Sequence, residues 1–157
     1  MYRSLHKGVI EVEHKLTRDE AQEIASLPDI HTLQFASALE WQSYHYIQEI
    51  LLPKLPRLKV RAYHFHNQVC DLAFVEQLPD LRRFEVLCHG EFANLDRLGS
   101  LHQLEELNLN LYKLDSFDVL QQLVTGLTSL HLGQTASKKP SLAGISRFTH
   151  LQQLTIE

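Results

Sequence analysis

The residues in this sequence best suited to chemistry are its histidines, of which there are ten. His64 and His66 are two positions apart, and Cys88 and His89 follow further along the chain. Imidazole nitrogen and thiolate sulfur are the ligands that zinc prefers, so these four side chains could bind a metal if the fold brought them together. Their spacing matches no zinc motif, however, and polar or stacking side chains in loops explain the same residues. We therefore predict no metal site.

Motifs of catalysis are also missing from the sequence. It contains no glycine-rich phosphate-binding loop, no GxSxG nucleophile motif and no HExxH metalloprotease motif. The two cysteines, Cys70 and Cys88, form no CxxC motif. Both fall at apolar positions of the pattern described below, which favours burial over reactivity. We therefore predict that the protein is not an enzyme and uses no cofactor.

Composition and charge are those of an ordinary globular domain. The chain has 157 residues, of which 44% are apolar and 22% charged. Its formal net charge of −4 argues against nucleic acid as the partner, because nucleic-acid binders usually carry a basic excess. No signal peptide follows Met1, and no apolar stretch approaches the ~20 residues of a membrane span. These features predict a cytoplasmic protein with no membrane contact.

An apolar pattern repeats along the chain. The clearest copy has leucine at positions 101, 104, 107 and 109, an L-x-x-L-x-x-L-x-L motif. The third apolar position of each copy is, in order, Leu33, Leu58, Phe84, Leu107, Leu130 and Leu154. Successive members are 23 to 26 residues apart. A step of 23 residues back from Leu33 gives Ile10, which indicates a degenerate first copy at 9–13 and seven strands in all. We predict that the six residues in this column are buried.

The pattern resembles that of the leucine-rich-repeat family over residues 9–157. The resemblance implies an α/β fold, a right-handed solenoid with a parallel sheet on its concave side and short helices on its convex side. It also implies one domain over residues 1–157, with a degenerate first repeat at about 5–26 and the other repeats at about 27–157. Solenoids of this kind offer an extended concave surface to another macromolecule.

Helices are predicted in the segments that connect the strands. Thr17 and Glu20 form a capping box, which starts a helix of about Arg18–Ser26. Shorter helices or single turns are expected later in the chain, at Leu72–Gln77, Phe92–Leu98, Phe117–Val124 and Leu142–Phe148.

The clearest helix is predicted at Leu39–Leu52, closed by Pro53. Its apolar face packs inward, and Trp41 and Tyr44 point more outward. Two interpretations of these aromatic residues remain open. They are either rim residues that pack against a neighbouring element or an exposed contact site, since Trp and Tyr are enriched at binding hot spots.

The predicted partner-binding residues lie mainly on the concave face. Side chains alternate along a strand, so the residues that flank the two inward apolar positions face the concave surface. On this face we predict the contact residues Arg57, Lys59, Arg61, Arg83, Glu85, Glu106, Asn108 and His131. The four cations form a basic patch suited to an acidic protein surface, because arginine makes planar, multidentate contacts. A solvated and partly self-paired charged face is the alternative.

The favoured function is that of a protein–protein interaction module. A small inhibitor or immunity-type protein that neutralises one partner is the alternative, and it rests on analogy with the family. The repeat pattern continues to Glu157 without a capping segment, which predicts exposed apolar surface and an unpaired strand edge at this end. A homodimer through that edge, its pairing with the partner, and a shortened chain are the alternatives there.

Overall fold

An eight-stranded sheet is the main element of the computed structural model, which describes residues 1–63, 65, 68–133 and 141–157. The strands, in chain order, are β1 (Tyr2–His6), β2 (Val9–Val12), β3 (Thr32–Phe35), β4 (Lys59–Tyr63), β5 (Cys70–Asp71), β6 (Arg83–Cys88), β7 (Phe92–Ala93), β8 (Glu106–Leu111), β9 (Ser129–Gly133) and β10 (Gln153–Ile156). The order in the main sheet is β1-β2-β3-β4-β6-β8-β9-β10, antiparallel at β1–β2 and parallel elsewhere. Strands β5 and β7 form a separate parallel pair.

The repeated apolar residues build a continuous core under this sheet. In β6, partly exposed and buried residues alternate at every position, as expected for a strand with one face on the core. The core extends without a break from Ile10 to Phe148. Each repeat buries its apolar side chains against its neighbours, which is how a stack of short repeats obtains a core that one repeat cannot form. All seven predicted strands are present.

The register of one strand differs from the prediction. Leu33 pairs with Val60, and Val60 pairs with Phe84, so Val60 and not Leu58 occupies the third apolar position of its repeat. Leu58 is buried, but it lies in the turn before β4, where its N–H donates to the carbonyl of Leu55 at 2.8 Å. The other predicted neighbours pair in the expected register, at Phe84, Leu107, Leu130 and Leu154.

The shift has its origin in the length of the repeat that precedes β4. Leu33 and Val60 are 27 residues apart, whereas Val60 and Phe84 are 24 apart. The extra residues belong to the longest helical segment of the chain, which comprises α2 (Trp41–Tyr46), a π-helical stretch at Ile47–Leu51 and a last turn, α3 (Leu52–Lys54). A π-helical stretch takes up additional residues within a helix, so the strand after it begins later than a constant period predicts.

The helix predicted at Leu39–Leu52 is therefore displaced at both ends. It begins only at Trp41, because Glu40 has an extended backbone (φ −56°, ψ 138°). It also continues through Pro53 to Lys54. Pro53 lies in the first turn of α3, directly after the π-helical stretch.

Most of the other connecting segments lie near their predicted positions, but the helix predicted at Phe92–Leu98 begins only at Leu95, because Phe92 and Ala93 pair with β5 as strand β7. Helix α1 (Arg18–Ser26) starts at the predicted capping box, in which Thr17 Oγ1 accepts from the Glu20 N–H at 3.2 Å and Glu20 Oε2 accepts from the Thr17 N–H at 2.9 Å. The later segments are 3₁₀ helices at Leu72–Gln77, Leu95–Ser100, Asp118–Gln121 and Ala143–Arg147. Within the described ranges, every helix is too short or too polar to cross a lipid bilayer.

Strand β1, like the short pair β5 and β7, has no counterpart in the sequence prediction. It forms a hairpin with β2 through the two-residue loop Lys7–Gly8, in which Gly8 has φ +79°. A side chain at Gly8 is strained by that φ and would also bring its Cβ to 2.6 Å from the carbonyl oxygen of Asp29. A residue followed by glycine between two short strands is the sequence signal that would have found this hairpin.

The side chains of the last strand are less buried than predicted. Among the described strands, β9 alone pairs with β10, and Leu154 is 44% exposed although it holds the expected place next to Leu130. The prediction that Leu154 is buried is thus wrong. A side chain that faces the core is fully covered only when a neighbouring strand lies on each side of its own strand. Ile156 is exposed as well. The apolar surface expected at this end of the repeats is present.

Candidate binding face of the sheet

The face of the sheet opposite the core carries two rows of mostly polar side chains, which we call the polar face. Residues paired between parallel strands lie side by side, so each row runs across the strands. The first row is Val9, Thr32, Lys59, Arg83, Glu106, Ser129 and Gln153. The second row is Glu11, Gln34, Arg61, Glu85, Asn108, His131 and Thr155.

Most of the predicted contact residues are members of these rows. They are Lys59, Arg61, Arg83, Glu85, Glu106, Asn108 and His131. Arg57 is not a member, because the register shift places it before β4. It is exposed there, and its carbonyl accepts a hydrogen bond from Arg83 Nη1 at 3.4 Å. The predicted position of Arg57 on this face is thus corrected.

The cations of the polar face are paired with its carboxylates. Arg61 Nη2 donates to Glu85 Oε2 at 3.0 Å, and Lys59 Nζ lies 3.5 Å from the same oxygen. Arg83 Nη2 donates to Glu106 Oε1 at 2.5 Å. Each of these side chains is at most about one-third exposed. The self-paired charged face therefore describes these residues better than an unpaired basic patch, and both signs of charge are present on this part of the face.

A second polar network covers the first strands, and the sequence did not single it out. Glu11 is only 4% exposed, although its side chain is on the polar face. Arg3 of β1 donates to Glu11 Oε2 at 2.7 Å, and the hydroxyl of Tyr63 donates to Glu11 Oε1. The side chain of Gln34 also hydrogen-bonds Glu11, and Arg61 Nη1 donates to Gln34 Oε1 at 3.3 Å, which joins this network to the charged pairs. One line of hydrogen bonds thus extends from β1 to β6.

The ionisation of this network follows from its contacts. Burial by itself would raise the pKa of Glu11, but hydrogen bonds from Tyr63 and Arg3, together with the positive charge of Arg3, outweigh it and lower that pKa. Burial and the hydrogen bond to Glu11 raise the pKa of Tyr63 to about 12. At neutral pH Glu11 is therefore a carboxylate and Tyr63 a neutral donor.

The opposite half of the polar face is largely uncharged. Asn108, Ser129, His131 and Thr155 line a cavity of about 270 Å³, which Lys59 and Glu106 border on the side of the charged pairs. Beside it, Asn110 donates from Nδ2 to Asn108 Oδ1. This half offers amide, hydroxyl and imidazole groups to a bound surface, each held on a strand.

The two aromatic residues predicted at the helix have different environments. Trp41 is 57% exposed and is available for contact. Tyr44 is only 2% exposed; its ring stacks on Phe74 and its hydroxyl accepts from the Leu39 N–H at 2.9 Å. The outward orientation predicted for Tyr44 is wrong, because Phe74 of the next repeat provides a stacking partner that helical periodicity cannot reveal. Tyr44 is a rim-packing residue.

The residues considered for metal binding do not form a described site. His64 and His66 lie outside the described residues. Among the described residues, no group of three or more His, Cys, Asp or Glu side chains is placed to hold a metal ion. Cys70 and Cys88 are buried free thiols, as predicted, and burial together with the neighbouring Cys88 raises the pKa of Cys70. Burial and a raised pKa keep the Cys70 sulfur an inert thiol.

Comparisons with known proteins concern the fold. No protein-family model and no curated protein sequence matches the chain. An internalin from Listeria monocytogenes matches with a TM-score of 0.54 and 18% identity over 96% of this chain and 42% of the internalin. TLR13, solved as a complex with ssRNA13, matches with a TM-score of 0.56 and 18% identity over 91% of this chain and 20% of TLR13. The chain thus spans less than half the length of either protein.

Internalins and TLR13 are leucine-rich-repeat proteins. Together with the mostly parallel sheet, the match gives this chain a solenoid fold of the leucine-rich-repeat type, as the sequence resemblance implied.

Proposed function

We propose that this chain is a protein-interaction module that binds a partner protein on its polar face. In this proposal residues 1–157 act as one leucine-rich-repeat domain. The solenoid is right-handed, since parallel crossover connections are right-handed in about 98% of cases. The polar face is its concave surface, and the helices and 3₁₀ segments cover the convex side.

The observation that carries the proposal is the ordered arrangement of polar groups on the sheet. Two rows of side chains lie in register across β2, β3, β4, β6, β8, β9 and β10. Several of these side chains are held by partners on the next strand, as Arg61 is by Glu85. Groups fixed in this way lose little conformational entropy on binding, which favours recognition of a complementary surface.

The mixed charges also indicate which kind of partner suits the face. Nucleic acid is bound largely through cations that neutralise phosphates. Here Lys59, Arg61 and Arg83 are already neutralised by Glu85 and Glu106. A protein surface that presents both signs of charge complements this pattern better than a phosphate backbone does. Because TLR13 was solved with an RNA, RNA is the competing ligand that the experiment must distinguish.

Affinity capture from native lysate, followed by mass spectrometry, tests the proposal. Ser129 is a partly exposed member of the first row, and Ser129→Arg places a long cation on the polar face. We expect this variant to lose the partner. The matched control is Ser146→Arg, which makes the same change at an exposed position in the Ala143–Arg147 segment. It should retain the partner.

The outcomes separate the possible functions. Capture that resists nuclease and is lost only with Ser129→Arg supports protein binding on the polar face. Equal capture by both variants contradicts it, and capture abolished by nuclease favours RNA. A single dominant partner whose toxicity the chain neutralises would favour the inhibitor or immunity-type role, whereas several partners favour a general interaction module.

A further inference from the structure

A second surface, separate from the polar face, lies where the chain enters α2. The exposed indole of Trp41 meets the buried ring of Tyr44 edge-on, with 6.2 Å between ring centroids. Tyr44 in turn stacks on Phe74 at 4.8 Å. These three rings and Leu39 line a cavity of about 130 Å³. The cavity therefore has an apolar floor and an exposed aromatic wall, and its size suits one side chain.

A carboxylate completes the same cavity. Asp71 Oδ1 accepts a hydrogen bond from the Ala73 N–H at 2.9 Å and another from Asn94 Nδ2 at 2.8 Å. Both bonds end on Oδ1, and no donor among the described residues contacts Oδ2. The hydrogen bonds from Asn94 and Ala73 also lower the pKa of Asp71, so the group is charged at neutral pH. One oxygen is thus fixed by the protein and the other can accept a hydrogen bond.

We propose that this cavity binds an arginine side chain of a partner protein, with the guanidinium against the indole of Trp41 and donating to Oδ2 of Asp71. The apolar floor covers the aliphatic stem of the arginine. The indole attracts the cation through its ring quadrupole, and the carboxylate accepts a charge-assisted hydrogen bond.

Charge complementarity selects this occupant over a neutral apolar side chain, which would cover Asp71 without pairing it. Arginine fits better than lysine, because the planar and weakly hydrated guanidinium stacks on aromatic rings. The site is independent of the polar face, and its test does not require the partner.

Trp41 is the only tryptophan of the chain, so intrinsic fluorescence reports directly on the cavity. The experiment titrates the full chain with N-acetyl-arginine amide, and with N-acetyl-citrulline amide as the neutral probe of the same shape. The signal of the Trp41 indole N–H, followed by NMR, gives a second measurement. We expect saturable binding of the arginine probe and binding of the citrulline probe that is about tenfold weaker, as for the loss of one charge-assisted hydrogen bond.

Asp71→Asn tests the role of the carboxylate, because its remaining oxygen can still cap the following 3₁₀ helix. We expect the variant to bind the arginine probe about tenfold more weakly. The control Asp115→Asn makes the same charge change at an exposed aspartate after β8 and should bind like the unmodified chain.

Three results would overturn the proposal: no saturation within the solubility of the arginine probe, equal affinity for the two probes, or unchanged affinity in a folded Asp71→Asn variant. If that variant fails to fold by circular dichroism, the comparison of the two probes on the unmodified chain still decides. Failure at this cavity would leave the proposed role of the polar face intact.

Discussion

The hydroxyl of Tyr63 on β4 donates a hydrogen bond to the buried carboxylate of Glu11 on β2, across the intervening strand β3. This contact joins two repeats that are not neighbours in the sheet. Arg3 pairs with the same carboxylate, but its own side chain is largely exposed and is screened by solvent. The hydrogen bond from Tyr63 and the pairing with Arg3 together keep Glu11 charged on the folded chain.

The lowered pKa of Glu11 predicts a stability that depends on pH. A group whose folded pKa lies below its unfolded value stabilises the fold above the unfolded value, near 4.5, and this contribution is lost as pH falls through the folded pKa. Glu11→Gln should cost about 2–3 kcal/mol of unfolding free energy at pH 7, as for hydrogen bonds to a charged group. Urea unfolding should show this cost shrinking below pH 4.5.

A double-mutant cycle with Tyr63→Phe provides the control for that prediction. If Tyr63 acts through Glu11, the two substitutions together cost less than their sum. Additive costs, or a cost of Glu11→Gln that stays constant from pH 7 down to about pH 3, would show that the contact does not stabilise the carboxylate.

The core of the central repeats predicts a graded response to truncation. Leu107→Ala should cost about 2–5 kcal/mol by urea unfolding, the range for a large-to-small change in a packed core. Leu154→Ala removes a side chain that is 44% exposed, so it should cost less than about 1 kcal/mol. Equal losses for these two substitutions in the same column would be incompatible with the packing described for β10.

Two glycines offer a matched test of the hairpin. Gly8→Ala should destabilise the chain by more than about 1 kcal/mol, because φ is +79° and the Asp29 carbonyl blocks the new Cβ. Gly126→Ala meets no atom within 4 Å and should change the unfolding free energy by less than about 0.5 kcal/mol. Thermal unfolding of both variants measures the difference, and the idea fails if Gly8→Ala is as neutral as Gly126→Ala.

Of the three alternatives for the edge of β10, the homodimer is the one that a measurement on this chain alone can test. Leu154 and Ile156 expose apolar surface beside an edge that no other described strand covers, and such an edge can pair with a second strand. We expect light scattering to detect a dimer at high concentration and Ile156→Lys to abolish it. A monomer at every concentration accessible to the measurement removes the homodimer.

The sequence predicts the repeats well because the signal is local. Leucines at fixed spacing determine which residues face the core, and the strands lie where that spacing places them. The prediction fails at β4, where Leu58 and Val60 are both apolar and two residues apart, so that either satisfies strand periodicity. Only the helix at 41–54, with its π-helical stretch, decides between them.

The binding face is predicted less completely because its properties depend on contacts between repeats. Alternation along each strand identifies which side chains point away from the core, and it places Asn108 and His131 side by side on the polar face, as the structure has them. It cannot show that Glu85 is shared by Lys59 and Arg61. The burial of Tyr44 under Phe74 likewise depends on a contact with the next repeat, so the pattern along its own helix does not reveal it.

The most direct test of the proposed function exchanges an ion pair on the polar face. Arg83→Glu with Glu106→Arg preserves the pair, and therefore the fold, but reverses the charges presented to the partner. Arg82→Glu with Glu105→Arg is the matched control, since it exchanges an ion pair of the same residue types one position earlier in each repeat, where both residues precede their strands. Calorimetry should then measure the affinity of each folded double variant for the captured partner. We predict that the first exchange weakens binding at least about a hundredfold, since like charges across an interface cost several kcal/mol, and that the second leaves it within about threefold. Equal affinity of the two variants would contradict the claim that the polar face is the binding site.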